Sequence, residues 1–286
     1  CRMADELVHA ERRDGVLILT LDDPTSRNAQ SHEMANHLYH ELDAFEANPN
    51  DRVLVLTGQD PSFCSGANVR RFSQVISERT KTDEPGRLPW GDMEQRLASH
   101  DIDKGEAGFG SVSDVPIRIS DVQKPTIAAI NGHAIGVGLG IALSCDIRIA
   151  SDRAELAEAF VRMGLVPGDG SCWQLPRLIG LSNTLYMQYT GERIPADAAL
   201  AMGLVTKVYE HRDLMPQTLD FAARLAQGAT YAMSLTKYLV KRSQEMDLRE
   251  SLRLAQAAQE RARSSADHAE AVSAFLEKRS PRFVGY

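Results

Sequence analysis

From Ile127 to Leu143 the chain is apolar, broken only by Asn131, His133 and four glycines. Such a stretch is too short and too interrupted to span a membrane, so it belongs in a protein core. Its first part, 125–130, reads as a strand buried on both faces. Asn131-Gly132 then turns the chain, and from Ile141 the pattern is that of an apolar helix. Strand, glycine-rich turn and helix in direct succession are a unit of an α/β fold with a largely buried sheet.

The rest of the chain fits that class. Residues 16–21 are a β-rich run, followed by a loop over 22–29. Met34, Leu38, Leu42 and Phe45 recur at helical spacing and predict a helix over 31–46. Buried strands are expected at 53–57, ending at Gly58, and at 146–150. After Pro195 the character changes. Apart from a strand-like run at 204–208, the pattern is helical over 214–227, 229–245, 248–263 and 267–276. Asp267 and Glu270 have the D-x-x-E spacing of a capping box. These patterns predict a sheet core over 3–194 and a helical segment over 195–286. Between them in type, 77–122 is polar and carries Pro85, Gly86, Pro89, Gly91, Gly105, Gly108 and Gly110. It is long for a connection and reads either as a lid or as a solvated loop.

Composition narrows the function classes. A chain of 286 residues allows one or two domains, and a net charge of −7 disfavours nucleic acid and anionic membrane as partners. Four cysteines without a CxxC pair make neither a disulfide framework nor a zinc site, so no metal is expected. Reduced cysteines point to the cytoplasm, and Met3 reads as a natural start without a signal region.

Two segments are richer in small residues than packing requires. They are Phe63-Cys64-Ser65-Gly66-Ala67-Asn68-Val69, after the strand ending at Gly58, and Asn131 to Gly140, after the strand ending at Ile130. Small residues let a ligand approach the backbone. A helix starting in the second segment would present free N–H groups and a positive dipole end. Two such turns on neighbouring strands could pair their N–H donors as an oxyanion hole. Each is equally consistent with a tight turn or a packing contact.

Taken together, these blocks resemble the crotonase (enoyl-CoA hydratase/isomerase) superfamily. They are 63–69, 124–138, 145–150, Gly164-Leu165-Val166-Pro167-Gly168 and the ending Phe275-Leu276-Glu277-Lys278-Arg279. The resemblance implies a spiral of ββα units with a helical C-terminal trimerisation segment. It also implies an acyl-CoA thioester as substrate, with CoA entering as part of it and no separate cofactor. The family's two oxyanion-hole donors match the backbone N–H groups of Ala67 and Val137. Its CoA contacts suggest Arg27, Asn28 and Ala29 with Ser65, Asn68 and Val69, and Gly136 and Phe160 border the acyl pocket. Phe275 and Lys278 match an aromatic and a lysine that reach a neighbouring subunit, in a homotrimer or dimer of trimers.

Two departures bear on the reaction. Hydratases of the family position water with two glutamates, and the matching positions here are Gly140 and Phe160. Neither side chain can carry a proton, so two-glutamate hydration is not expected. Asp169, in Val166-Pro167-Gly168-Asp169-Gly170, is the candidate in their place. Pro-Gly at its centre fits a type II turn, and helix capping is the plainer role for the aspartate. Glu158 is a reserve candidate, facing the same side as Phe160 if the segment is a strand. A similar Val-Pro-Gly-Asp-Gly block occurs in the carbon–carbon-cleaving 6-oxocamphor hydrolase type of crotonase. The pocket histidines of that type have no counterpart here, where Val137 and Phe160 stand.

The expected function is enolate chemistry on an acyl-CoA, giving double-bond isomerisation or addition/elimination. The alternatives are hydrolysis of a carbon–carbon bond in a β-diketone-like substrate, or a non-catalytic CoA- or RNA-binding scaffold. His133 and Asp146 read as structural, and Cys64 has no base or cation to make it a nucleophile. Trp90, Asp92, Glu94, His100, Asp101 and Glu106 could fold over the pocket if 77–122 is a lid.

Overall fold

A computed structural model describes residues 7–67 and 114–286. Alternating side chains of the central strands split the core into two clusters. Leu17, Leu19, Leu21, Leu54, Leu56, Ala128 and Ile130 face one side, and Val16, Ile18, Val53, Val55, Ile127 and Ala129 face the other. Successive residues of a strand point to opposite faces, so a continuous apolar run means cover on both sides.

The strands form a six-stranded sheet in the order β1 (Val8–Arg13), β2 (Val16–Leu21), β3 (Val53–Gly58), β5 (Thr126–Ile130), β7 (Ile147–Ser151) and β10 (Lys207–Tyr209). All pairs are parallel except β1 with β2. One face is covered by α1 (His32–Ala47), α2 (Val115–Asp121) and α3 (Val137–Ser144). Ser31 caps α1 by accepting from the Met34 N–H, which satisfies one of the donors left free at a helix start. The other face is covered by α6 (His211–Ala226) through Leu214, Ala222 and Ala226.

A second sheet was not legible in the pattern. It orders β4 (Ser62–Cys64), β6 (His133–Ile135), β8 (Glu155–Ala157) and β9 (Ile194–Pro195). Strands this short hold too few positions to display an alternation. Each of β4 and β6 follows directly on a strand of the large sheet. The chain therefore winds between two sheets, with helices closing the turns: the ββα spiral expected of the crotonase fold.

Several expectations shift. The last part of 77–122 is α2, whose Val115 and Ile119 are fully buried and whose Arg118 pairs with Asp43 and Glu46 of α1. The lid residues from Trp90 to Glu106 lie outside the described residues. β9 straddles the 194/195 division within the small sheet, and beyond it β10 joins the large sheet, one face of which α6 covers. The remaining helices are α4 (Ser171–Thr190), broken at Gly180, α5 (Ala196–Ala201), α7 (Thr230–Ser243), α8 (Leu248–Arg263) and α9 (Ala266–Glu277). Asp267 does not cap α9, because Ser265 does. Buried Asp267 instead accepts from the N–H groups of Val284 and Gly285, tying down the C-terminal tail. The capping box is at Asp247 and Glu250 of α8. Lys237 of α7 pairs with Asp146 at 2.9 Å, joining the C-terminal helices to the start of β7. No described helix is long and apolar enough to cross a membrane.

Candidate active site

Parallel pairing of β4 with β6 sets two turns side by side, 65–67 and 136–138. Their contact leaves no room for side chains. A Cβ on Gly66, at φ 102°, would stand 2.8 Å from the Ile135 carbonyl oxygen, and one on Gly138 would stand 2.3 Å from that of Cys64. Glycine at both positions is thus a condition of the two turns meeting. Gly136 (φ 51°) caps α3 and donates its N–H to the Ala157 carbonyl at 2.8 Å. The next N–H, that of Val137, opens the helix. Neither it nor the Ala67 N–H has an acceptor among the described residues. A helix start adds a partial positive charge at that point.

The loop after β2 is fastened to the first turn. Ser65 donates its N–H to the Arg27 carbonyl at 3.1 Å and its Oγ to that of Ser26 at 2.8 Å. Arg27 is exposed beside it. Asn28 has a different task from the ligand contact expected of it. Its side chain is fully buried, with Nδ2 donating to the carbonyls of Gln59 and Ser62 at 2.8 and 2.7 Å and Oδ1 accepting from the Asp23 N–H. Its polar atoms are spent on the fold. Ala29 is buried too, while Asn68 and Val69 lie outside the described residues. At the far end of the chain Phe275 and Lys278 are exposed, with Lys278 ending α9 in the left-handed region.

One face of α3 carries the rest. Gly136 and Gly140 are one turn apart, joined by the Gly140 N–H to Gly136 carbonyl bond of 3.0 Å, so they share a face. A Cβ on Gly136 would touch the Phe160 ring at 3.4 Å. A Cβ on Gly140 would fall 2.7 Å from the Asp169 Cβ and 2.8 Å from both its carbonyl oxygen and its Oδ2. Asp169 thus fills the space that a side chain at 140 would enter.

Asp169 is 1% exposed and its two oxygens differ. Oδ1 accepts from the Ser171 N–H at 3.1 Å and the Ser171 Oγ at 2.7 Å, which ties the turn to the first residue of α4, although the cap position is Gly170 and not Asp169. Ser171 was not singled out from sequence, although D-x-S is the spacing of such local side chain–backbone bonds. Oδ2 has no partner among the described residues. Burial raises the Asp169 carboxyl above its ordinary range, against the bonds from Ser171 that lower it. The turn before it is not type II, since Gly168 is not among the glycines with positive φ, whereas Gly164 and Gly170 are. Glu158 is wholly buried and its carboxyl is raised well above the ordinary range, first by burial and then by the Asp169 charge. It is not placed by strand alternation: β8 ends at Ala157, and Phe160 lies in a 3-10 helix over Ala159–Met163.

The other candidates have structural surroundings. Burial pushes the Cys64 thiol up to about 12, which removes it as a nucleophile. His133 Nδ1 lies 3.1 Å from Glu155 at the protein surface.

Similarity to known proteins agrees with this architecture. The sequence profile of the enoyl-CoA hydratase/isomerase family matches residues 11–97 and 90–285. The 1,2-epoxyphenylacetyl-CoA isomerase of Escherichia coli K12 is 32% identical over 98% of both chains. The 2,3-dehydroadipyl-CoA hydratase of the same organism is 30% identical over 99% of this chain and 100% of its own. Among solved structures, the enoyl-CoA hydratase of Bacillus anthracis superposes with a TM-score of 0.80 at 28% identity, covering 98% of this chain and all of that one. An isomerase and a hydratase at nearly equal identity show that overall likeness does not choose the reaction. Interlocked turns, two-sheet winding and whole-chain similarity together place this protein in the enoyl-CoA hydratase/isomerase family.

Proposed function

We propose that this chain processes an acyl-CoA thioester by holding its enolate between the backbone N–H groups of Ala67 and Val137 while Asp169 moves the proton. The outcome is double-bond isomerisation, or addition and elimination at the neighbouring carbon. The observation that carries this reading is the unpartnered Asp169 Oδ2 beside Gly140, one turn along α3 from the helix start that bears Val137. The three residues from Val137 to Gly140 correspond to a rise of about 4.5 Å, the scale of a few bonds of an acyl chain running past a thioester.

In the forward step a C–H next to the thioester gives its proton to Asp169, and the electron pair moves onto the thioester oxygen. Two N–H donors and the α3 dipole offset that charge without reorganising. Returning the proton to a different carbon shifts the double bond, and loss of a β substituent from the same enolate gives elimination. A raised carboxyl pKa brings the donor's acidity closer to working pH. Two-glutamate hydration is unavailable, since positions 140 and 160 hold Gly and Phe. For the nucleotide end, Arg27 offers an exposed cation beside the Ser65 turn. Phe275 and Lys278 are proposed to reach a neighbouring subunit's CoA in a trimer or dimer of trimers.

The test is incubation with 2-enoyl- and 3-enoyl-CoA esters in deuterated water, with double-bond position and deuterium followed by NMR. Wild type should exchange and shift the double bond, and Asp169→Asn should bind the thioester without doing either. Equal exchange by both proteins would remove Asp169 from the mechanism. Absence of a thermal shift with every CoA ester would remove the substrate class.

A further inference from the structure

Asp169 Oδ2 and both oxygens of Glu158 are buried and lack a well-formed hydrogen bond among the described residues, although the Ser171 side chain stands close enough to Glu158 to favour its ionised form. Neither residue belongs to a described ion pair, and among the described residues no cation contributes to the electrostatics of either. Two ionised carboxylates, buried together without a cation, would repel each other and lose their hydration. Apart from Ser171, what each can find is the other's carboxyl, and that contact is favourable only with a proton in it. Among the described residues, the titratable groups nearby are turned away from the pair: Arg162 of the following 3-10 helix lies against Gly191, and the Cys172 thiol is exposed. Helix α3, packed over the pair, reads Val-Gly-Leu-Gly-Ile-Ala-Leu-Ser. The start of α4 supplies Ser171, Cys172 and Gln174, with Gln174 turned to Ser144 at 3.1 Å. From β6, His133 faces Glu155.

We propose that Glu158 is a positioning residue that shares one proton with Asp169, so that the pair acts as a single proton-storing unit for the site. The inference rests on Asp169 being the proton carrier. Glu158 holds the proton and donates it to one side of Asp169, while Ser171 donates to Oδ1. The aspartate is thereby kept ionised and fixed in orientation. When a substrate C–H bond breaks, its proton bonds to Asp169 and the pair becomes neutral with two protons. The electron pair goes to the enolate, so the charge of −1 passes from the pair to the thioester oxygen. Giving a proton back to another carbon restores the pair. This arrangement explains why a glutamate is tolerated at a fully buried position with no cation beside it among the described residues.

The experiment is infrared difference spectroscopy on the full chain across pH, paired with pH profiles of kcat. Wild type should show the C=O band of a protonated buried carboxyl at neutral pH, lost only at alkaline pH. Loss of the band and fall of kcat should share a midpoint. E158Q keeps size and a donor but cannot release a proton, so the band and the alkaline limb should both vanish, with kcat at least tenfold lower and KM within about twofold. E158D should restore the band at a displaced midpoint, which covers the case of E158Q folding poorly. A wild type without the band, or an E158Q that keeps either the band or the limb, would overturn the proposal. The band is read without substrate and should persist in D169N. Full turnover by D169N would therefore sink the proposed function separately from the proton assignment.

Discussion

Asp169 stands against the backbone of Gly140 so closely that the two positions cannot both carry side chains in their present places. The virtual Cβ on Gly140 lies 2.7 Å from the Asp169 Cβ and 2.8 Å from its carbonyl oxygen. The carboxylate of this site thus enters from the start of α4, where hydratases of the family extend one from the helix that corresponds to α3. The proton carrier proposed for this chain occupies a related volume from a different part of the backbone.

Gly140→Ala should therefore disturb more than an ordinary helical Gly→Ala change, which usually helps a helix. Overpacking costs about 1–3 kcal/mol, and part of the clash is with backbone. Urea denaturation should show a loss in that range, only partly recovered by adding Asp169→Gly. A stabilised Gly140→Ala protein would mean that Asp169 does not hold this place. The same contact means that Gly140→Glu with Phe160→Glu should not install hydration, even though position for position it restores the hydratase pair.

Val137→Pro removes one proposed oxyanion donor while sparing the helix. Proline is well tolerated at the first helical position, and the preceding residue is a glycine with no Cβ to clash. Loss of one such donor is expected to lower kcat by about 10²–10³-fold, with a thermal midpoint within a few degrees of wild type. Unchanged kcat in a folded protein would exclude that N–H from the reaction.

Asn28→Ala should act on stability. It leaves the Gln59 and Ser62 carbonyls and the Asp23 N–H without the partners they have now, and puts alanine at φ 59°. Each buried group left unsatisfied costs about 1–3 kcal/mol, and the left-handed backbone adds about 1 kcal/mol. Of these bonds only that to Ser62 is wholly buried, so chemical denaturation should register the cost of one such group plus the backbone, a loss on the order of 2–4 kcal/mol. A protein of normal stability with weakened CoA binding would restore Asn28 as a ligand contact.

Glu158 should make the fold less stable as pH rises. Its folded pKa is well above the ordinary value of 4.5, so above that value the native state keeps a proton that the unfolded chain has lost. Stability contributed by this group is complete below about pH 4.5 and declines up to its folded pKa, by at most about 1.4 kcal/mol per pH unit. Comparing denaturation of wild type and Glu158→Gln across that window should show the slope flattened in the variant. Parallel curves would mean that Glu158 titrates normally. A group that destabilises its own fold near neutrality is typical of functional sites.

Much of this was open to sequence reasoning. Met34, Leu38, Leu42 and Phe45 specified α1 because the periodicity of a helix is a local property. The continuous runs of β2, β3, β5 and β7 specified a sheet covered on both faces for the same reason. Glycine-rich turns at 65–67 and 136–138, and an aspartate at 169 in place of the two missing glutamates, were visible as residue types at fixed spacings. What the chain could not show alone was which residues distant in sequence would meet. Three-residue strands β4, β6 and β8 carry no pattern, yet their pairing brings the two turns together. Glu158 was only a reserve candidate, two residues before Phe160. Its burial beside Asp169 and Ser171 joins parts of the chain that local pattern does not connect. Asn28 sat in a polar loop and proved to be a buried clasp. Local preference writes the elements into the sequence, whereas desolvation and contact arise only when separate parts of the chain exclude water from the same volume.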